Sequence, residues 1–135
     1  MRDVVADAKD LPLKLTVMSF GFKYGLPLDA DHVLDVRFLK NPYWVSELRH
    51  LTGRDQPVAE YVLGQPGAEE FGVEYARLLA PMIRGYLNEL KPFVTIAVGC
   101  TGGKHRSVAM AELIAAILRE EDFPVRVIHR DLGRE

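Results

Sequence analysis

The period of the apolar positions changes along the chain, and the changes divide it into elements. Leu13 to Phe20 alternates and then runs apolar, which predicts a first strand. His32 to Val36 predicts a short second strand after the turn Asp29-Ala-Asp31. Phe93 to Val98 is apolar except for Thr95, the pattern of a strand covered on both faces. Val125 to His129, entered through Asp122-Phe-Pro124, predicts the last strand. Elsewhere the period lengthens. Gln56 to Leu63 predicts a short helix with Pro57 at its start, ended by Gly64-Gln-Pro-Gly67. From Ala68 to Leu90, Phe71, Tyr75, Leu78, Met82, Tyr86 and Leu90 recur at spacings of three and four, a long helix with its stripe on the core or on a second copy. Pro81 falls inside it. A proline there costs roughly 3 kcal/mol in an undistorted helix, so a kink or break just before it is expected. Val108, Ala111, Ala115 and Leu118, with Ile114 and Ile117 beside them, predict a last helix.

Strand, strand, helices, strand, helix, strand is the order of an α/β layered domain, with a largely parallel sheet of about four strands flanked by helices. Residues 1–13 are weakly patterned and read as a lead-in to one domain spanning 14–135. No repeat, low-complexity tract or linker marks a second domain.

The loop between the third strand and the last helix carries the candidate chemistry. It reads Gly99-Cys-Thr-Gly-Gly-Lys-His-Arg-Ser107. Glycines let the backbone approach a ligand closely. A helix start presents unpaired N–H groups and the positive end of its dipole. Lys104 and Arg106 add full charges, Arg106 with a fork suited to an oxyanion, and Thr101 and Ser107 add hydroxyls. Cys100, Thr101, Gly102, Gly103, Lys104, His105, Arg106 and Ser107 are therefore expected to form a phosphate or oxyanion site. The loop is not a Walker A sequence: Val98 stands where the first glycine belongs, and His105 follows the lysine. It does match Cys-x5-Arg-Ser, the loop of cysteine phosphatases, with Cys100 as nucleophile and Arg106 as clamp.

Ligands of open α/β sheets sit at the carboxyl ends of the strands. The loops after residues 20, 36 and 98 are thus expected to converge on one pocket. Lys23, in Gly21-Phe-Lys-Tyr-Gly25, would face the same guest. Asp35 and Arg37 fall on one face by alternation and are candidates for a sugar hydroxyl or amine and for a phosphate; the alternative is an internal ion pair. Tyr43, in Asn41-Pro-Tyr-Trp44, is placed against a sugar ring, and Trp44 in the core. Asp29, Asp31, His32 and Asp35 lack the spacing of a metal site, so neither a metal nor a cofactor is expected.

Charge and composition narrow the partners. A formal charge of -2 gives no bulk attraction to nucleic acid or an anionic membrane. No apolar run approaches the roughly 18 residues of a membrane span. A single Cys and an acidic first decade fit the cytoplasm.

Several stretches together resemble one family. Ile96-Ala-Val-Gly-Cys-Thr-Gly-Gly-Lys-His-Arg-Ser-Val108 is similar to the C-terminal domain of the RapZ/YvcJ family, bacterial RNase adapters and nucleotide-binding proteins. Ser19-Phe-Gly-Phe-Lys-Tyr-Gly-Leu-Pro27, Asp35-Val-Arg-Phe-Leu-Lys-Asn-Pro-Tyr-Trp44, Leu51-Thr-Gly53 and His129-Arg-Asp-Leu132 fit the same pattern. The resemblance implies an α/β domain related to part of phosphofructokinase, with a pocket that holds glucosamine-6-phosphate in the adapter members. It also implies self-association and contacts with small RNAs or an RNase partner. The P-loop domain that precedes this one in whole members is not in these residues, so its nucleotide hydrolysis is not carried over. The basic cluster that RNA-binding members carry near this end is also missing.

The expected function is thus a non-catalytic sensor or adapter domain for a phosphorylated amino sugar, with a small phosphorylated metabolite as partner and a homo-oligomer as its form. The alternatives are a cysteine-dependent phosphatase and an RNA- or protein-docking module.

Overall fold

The computed structural model describes residues 13–134. Strands β1 (Lys14–Gly21), β2 (His32–Asp35), β3 (Phe93–Cys100) and β4 (Val125–His129) form one sheet in the order β2-β3-β1-β4, with every pairing parallel. Helices α1 (Gln56–Leu63) and α2 (Ala68–Asn88) connect β2 to β3, and α3 (Arg106–Glu120) connects β3 to β4. One-turn 3-10 helices lie at Phe22–Tyr24 and Pro42–Trp44. Helix α3 packs on β1, β3 and β4, and α1 and α2 pack on α3. The α/β layered, parallel architecture read from the apolar pattern is the one observed.

Alternation along the central strands explains the layering. Leu15 and Val17 of β1 and Val94, Ile96 and Val98 of β3 point into a core shared with Ala111, Ile114, Ala115 and Leu118 of α3. The two central strands are covered on both faces, which is why β3 lacks polar alternation. No helix among the described residues is long and apolar enough to cross a membrane.

Local details refine this picture. The break before Pro81 does not occur, and α2 runs through it. Pro81 and Arg77 both lie on the exposed side, where water can satisfy the carbonyl that loses its partner. Phe71, Tyr75 and Tyr86 of the aromatic stripe pack half-buried against the core, while the fully buried stripe of α2 is a second one. Gly72, Ala76, Leu79 and Ile83 face inward, because small residues let α2 approach α3 closely. A Cβ on Gly72 would stand 2.6 Å from Leu113 Cδ2. Leu13, where the predicted first strand begins, is buried in the core, and residues 1–12 lie outside the described residues.

Candidate functional site

All four strands run parallel, so their carboxyl ends share one edge of the sheet, and the loops that follow them meet there. Gly21 ends β1 and permits the tightest contact. A Cβ on it would lie 2.5 Å from the Gly102 carbonyl carbon, so only glycine lets β1 approach the loop after β3. Two residues on, Lys23 N–H donates to Thr101 O (3.2 Å). On the other side Val36 N–H donates to Gly99 O (2.9 Å), and Gly53 N–H donates to Lys104 O (2.9 Å). The stretch from Gly99 to Lys104 is thereby held by backbone bonds from three segments.

These segments enclose a cleft of about 540 Å³. Lys23 enters from the loop after β1. Asn41, Tyr43, Trp44, Arg49 and His50 come from the segment after β2, and Cys100, Thr101, Gly102, Lys104, His105 and Arg106 from the end of β3 and the start of α3. The lining holds four cationic side chains and no Asp or Glu among the described residues. A larger cleft of about 680 Å³ lies beside α1 and α2, but Glu69, Glu70 and Glu74 line it and would repel an anion.

Arg106 is the first residue of α3 and is only 5% exposed. Its Nη1 donates to the carbonyls of Arg37 (3.1 Å) and Leu39 (3.0 Å), and its Nη2 to Thr101 Oγ1 (3.3 Å). Its Nε is buried without a partner. The guanidinium is therefore built into the wall, rather than offering a free two-pronged face. A buried donor with no acceptor carries a desolvation cost of about 1–3 kcal/mol. An oxyanion on the loop is the kind of group that could relieve it.

Cys100 is buried at the base of the cleft. Its Sγ donates to Ser107 Oγ (3.1 Å) and accepts from Gly103 N–H (3.3 Å). Ser107 and Gly103 thus brace the loop from beneath and do not line the cleft. Gly103, at φ 78°, sits where its Cβ would meet Gly21 N at 2.7 Å, whereas a Cβ on Gly102 would meet nothing within 4 Å. Half of the loop's glycine pair is packed and the other half is open.

Asp35 and Arg37 are not brought into the cleft. The Arg37 guanidinium closes on the carboxylate, Nη2 to Oδ2 at 2.7 Å and Nε to Oδ1 at 3.0 Å, and lies 3.9 Å over the Phe22 ring. The hydrogen bonds that Arg37 donates hold the Asp35 carboxyl below its usual range, and the carboxylate that accepts them raises the Arg37 guanidinium. The internal pair, one of the two readings of these residues, describes the geometry. Asp131 plays a comparable structural part at the end of β4. It is fully buried and accepts from Gly21 N–H (2.7 Å) and from Arg130. Burial pushes its carboxyl up, but these bonds and the charges of Arg130 and Arg134 outweigh burial and hold it low.

Trp44 is not in the core: it is 76% exposed at the rim of the cleft. Pro42 takes the buried position of that turn and leaves both aromatics outside. Sequence reading also missed Arg49 and His50, which lie in a stretch whose turn residues masked them. Their one available signal was the neighbouring Arg and His just ahead of Thr52-Gly53. Among the described residues no cluster of ligating side chains could hold a metal.

A parallel α/β domain with a cationic glycine loop at the carboxyl ends of its strands is the class that this geometry defines. A profile of the RapZ C-terminal domain matches residues 13–133, and the chain belongs to that family. It is 59% identical over 128 residues to a nucleotide-binding protein of Thermobifida fusca, covering 95% of this chain and 44% of that one. It is 62% identical over 122 residues to one of Mycobacterium ulcerans, covering 90% and 40%. A relative from Frankia alni is 63% identical over 123 residues, covering 91% and 43%. The chain thus spans less than half the length of these relatives.

Proposed function

We propose that this domain binds a phosphorylated amino sugar of the glucosamine-6-phosphate class, seats its phosphate on the loop from Cys100 to Ser107, and acts as a sensor or adapter without turning the ligand over. The observation that carries the reading is the cleft's charge: Lys23, Arg49, Lys104 and Arg106 line it and, among the described residues, no carboxylate does. Such a cleft, at the start of a helix, selects for negative charge. The buried, unpartnered Nε of Arg106 adds a donor in want of an acceptor. The amine of the sugar finds no carboxylate in the lining, so the phosphate is expected to supply most of the affinity.

Turnover through Cys100 has less support. Arg106, the clamp in that scheme, gives Nη1 to two backbone carbonyls, and among the described residues the cleft offers no carboxylic acid to protonate a leaving group. The name of the relatives points to nucleotides, and a nucleotide phosphate would suit the same loop. Calorimetric titration with glucosamine-6-phosphate, glucosamine and a nucleoside monophosphate tests the reading. It expects the sugar phosphate to bind at least tenfold more tightly than the free sugar. Equal affinity for those two would remove the phosphate contact, and preference for the nucleotide would replace the sugar.

A further inference from the structure

The geometry points to Trp44 as a ring-binding subsite beside the anion loop, a face against which the closed ring of a phosphate ester stacks. This inference rests on the proposed phosphate site. It assigns the part of the guest that lies beyond the phosphate.

The turn that carries Trp44 holds its shape without the indole. Asn41 Oδ1 accepts from Tyr43 N–H (3.0 Å), Trp44 N–H donates to Asn41 O (3.2 Å), and Val45 N–H donates to Pro42 O (2.9 Å). Pro42 fixes the backbone and supplies the buried contact. Trp44 is absent from the hydrophobic core. A large apolar ring left in water gives up about 1.5–3 kcal/mol of burial, so its position calls for another explanation.

Although exposed, the indole is held in place. It meets the Tyr43 ring edge to face, with centroids 5.0 Å apart and planes at 89°. Tyr43 is braced in turn by Arg49, whose Nε donates to Tyr43 O (2.8 Å) and whose guanidinium lies 5.0 Å from the ring centroid. The aromatic pair is therefore oriented by its own neighbours rather than by the core.

Its place on the rim decides what it can serve. Trp44 lines the same cleft as Lys104 and Arg106. A phosphate held by the loop leaves the remainder of its ester in that cleft, where the indole offers an apolar face. Small-molecule sites pair polar groups that fix orientation with aromatic faces that supply area. A pyranose and a nucleobase share the feature this face would recognise, a closed ring with an apolar side. An open-chain ester lacks it.

The test compares glucosamine-6-phosphate, adenosine monophosphate, glycerol 3-phosphate and inorganic phosphate by calorimetry, on the chain and on its Trp44→Ala and Trp44→Phe variants. For Trp44→Ala we expect at least one ring-bearing phosphate to lose about tenfold in affinity, or about 1.4 kcal/mol. Glycerol 3-phosphate and inorganic phosphate should change by less than about twofold. Trp44→Phe should recover most of the loss, and thermal unfolding should be unchanged. Which ring responds identifies the sugar or the base as the guest. Trp44 is the sole tryptophan, so its emission should shift with the ring phosphates and not with inorganic phosphate. An equal loss for all four ligands, or none for any, overturns the subsite while leaving the phosphate site intact. If the unaltered chain binds none of the four, the phosphate site itself fails and the subsite falls with it.

Discussion

Arg106 Nη1 donates to the carbonyl oxygen of Leu39 at 3.0 Å, across 67 residues of sequence. With its second bond to Arg37 O, it ties the start of α3 to the segment that leaves β2. The glycine loop after β3 and the rim bearing Asn41, Tyr43 and Trp44 are therefore tied together. A residue that looks in sequence like a ligand clamp is also the rivet of the cleft.

Arg106 should accordingly be costly to replace in two separate ways. Arg106→Ala leaves two carbonyls without their donor and removes a cation, so we expect a loss of about 2–4 kcal/mol in unfolding free energy and of phosphate binding together. Arg106→Lys keeps the charge but cannot reproduce the planar fork, and should recover only part of either. Chemical denaturation and calorimetry on both variants check this. Loss of binding at unchanged stability would show that the carbonyl bonds carry no weight.

The two glycines of the loop should separate folding from binding. Gly103→Ala combines a positive φ with a Cβ 2.7 Å from Gly21 N, and should destabilise by roughly 1–3 kcal/mol. Gly102→Ala meets nothing within 4 Å, so its stability should change by less than about 0.5 kcal/mol. Yet its methyl would stand at the mouth of the loop and should weaken phosphate binding several-fold. Matched melting and titration curves for the pair decide the point, and equal behaviour in both assays would contradict it.

Asp35 and Arg37 should prove dispensable for the ligand. They are half exposed, pair with each other and lie off the cleft. Exposed pairs of this kind add little to stability. Asp35→Asn is expected to leave ligand affinity within about twofold, measured by calorimetry. A tenfold loss would return the pair to the site.

Acid should act on the fold through Asp131. Its carboxyl is held below the ordinary range, so its contribution is present above the unfolded value near 3.9 and is lost as pH falls through the folded one. Asp131→Ala leaves Gly21 N–H unpaired and should cost about 2 kcal/mol or more at pH 7. The gap between the two proteins should narrow below about pH 4. Unfolding curves at pH 7, 5 and 3 test the sign, and a constant gap would place the effect elsewhere.

How far these features were legible in sequence follows from how local their causes are. Strand β3, the glycine loop and α3 were readable because a doubly covered strand and an amphipathic helix impose patterns within a few residues. The Asp35–Arg37 pair was anticipated as one of two readings, since residues two apart on a strand share a face. Trp44 was misplaced because Pro42 takes the inward position of the turn, a choice set by the surrounding chain. The bonds from Arg106 to Arg37 and Leu39 depend on the path between β2 and α1, and no spacing reveals that path. For the same reason Arg49 and His50 went unnoticed: they reach the cleft only because Gly53 packs against the start of α3, where its Cβ would meet His105 O at 2.4 Å.

The central claim is that the loop after β3 holds an anion. Amide chemical shifts recorded while inorganic phosphate is added test it most directly, since they report residue by residue and need no knowledge of the natural ligand. The account predicts saturable shifts at Thr101, Gly102, Lys104 and Arg106, with residues 64–74 at the acidic cleft unmoved. Shifts confined to other surfaces, or none at concentrations that would saturate a built site, would contradict it.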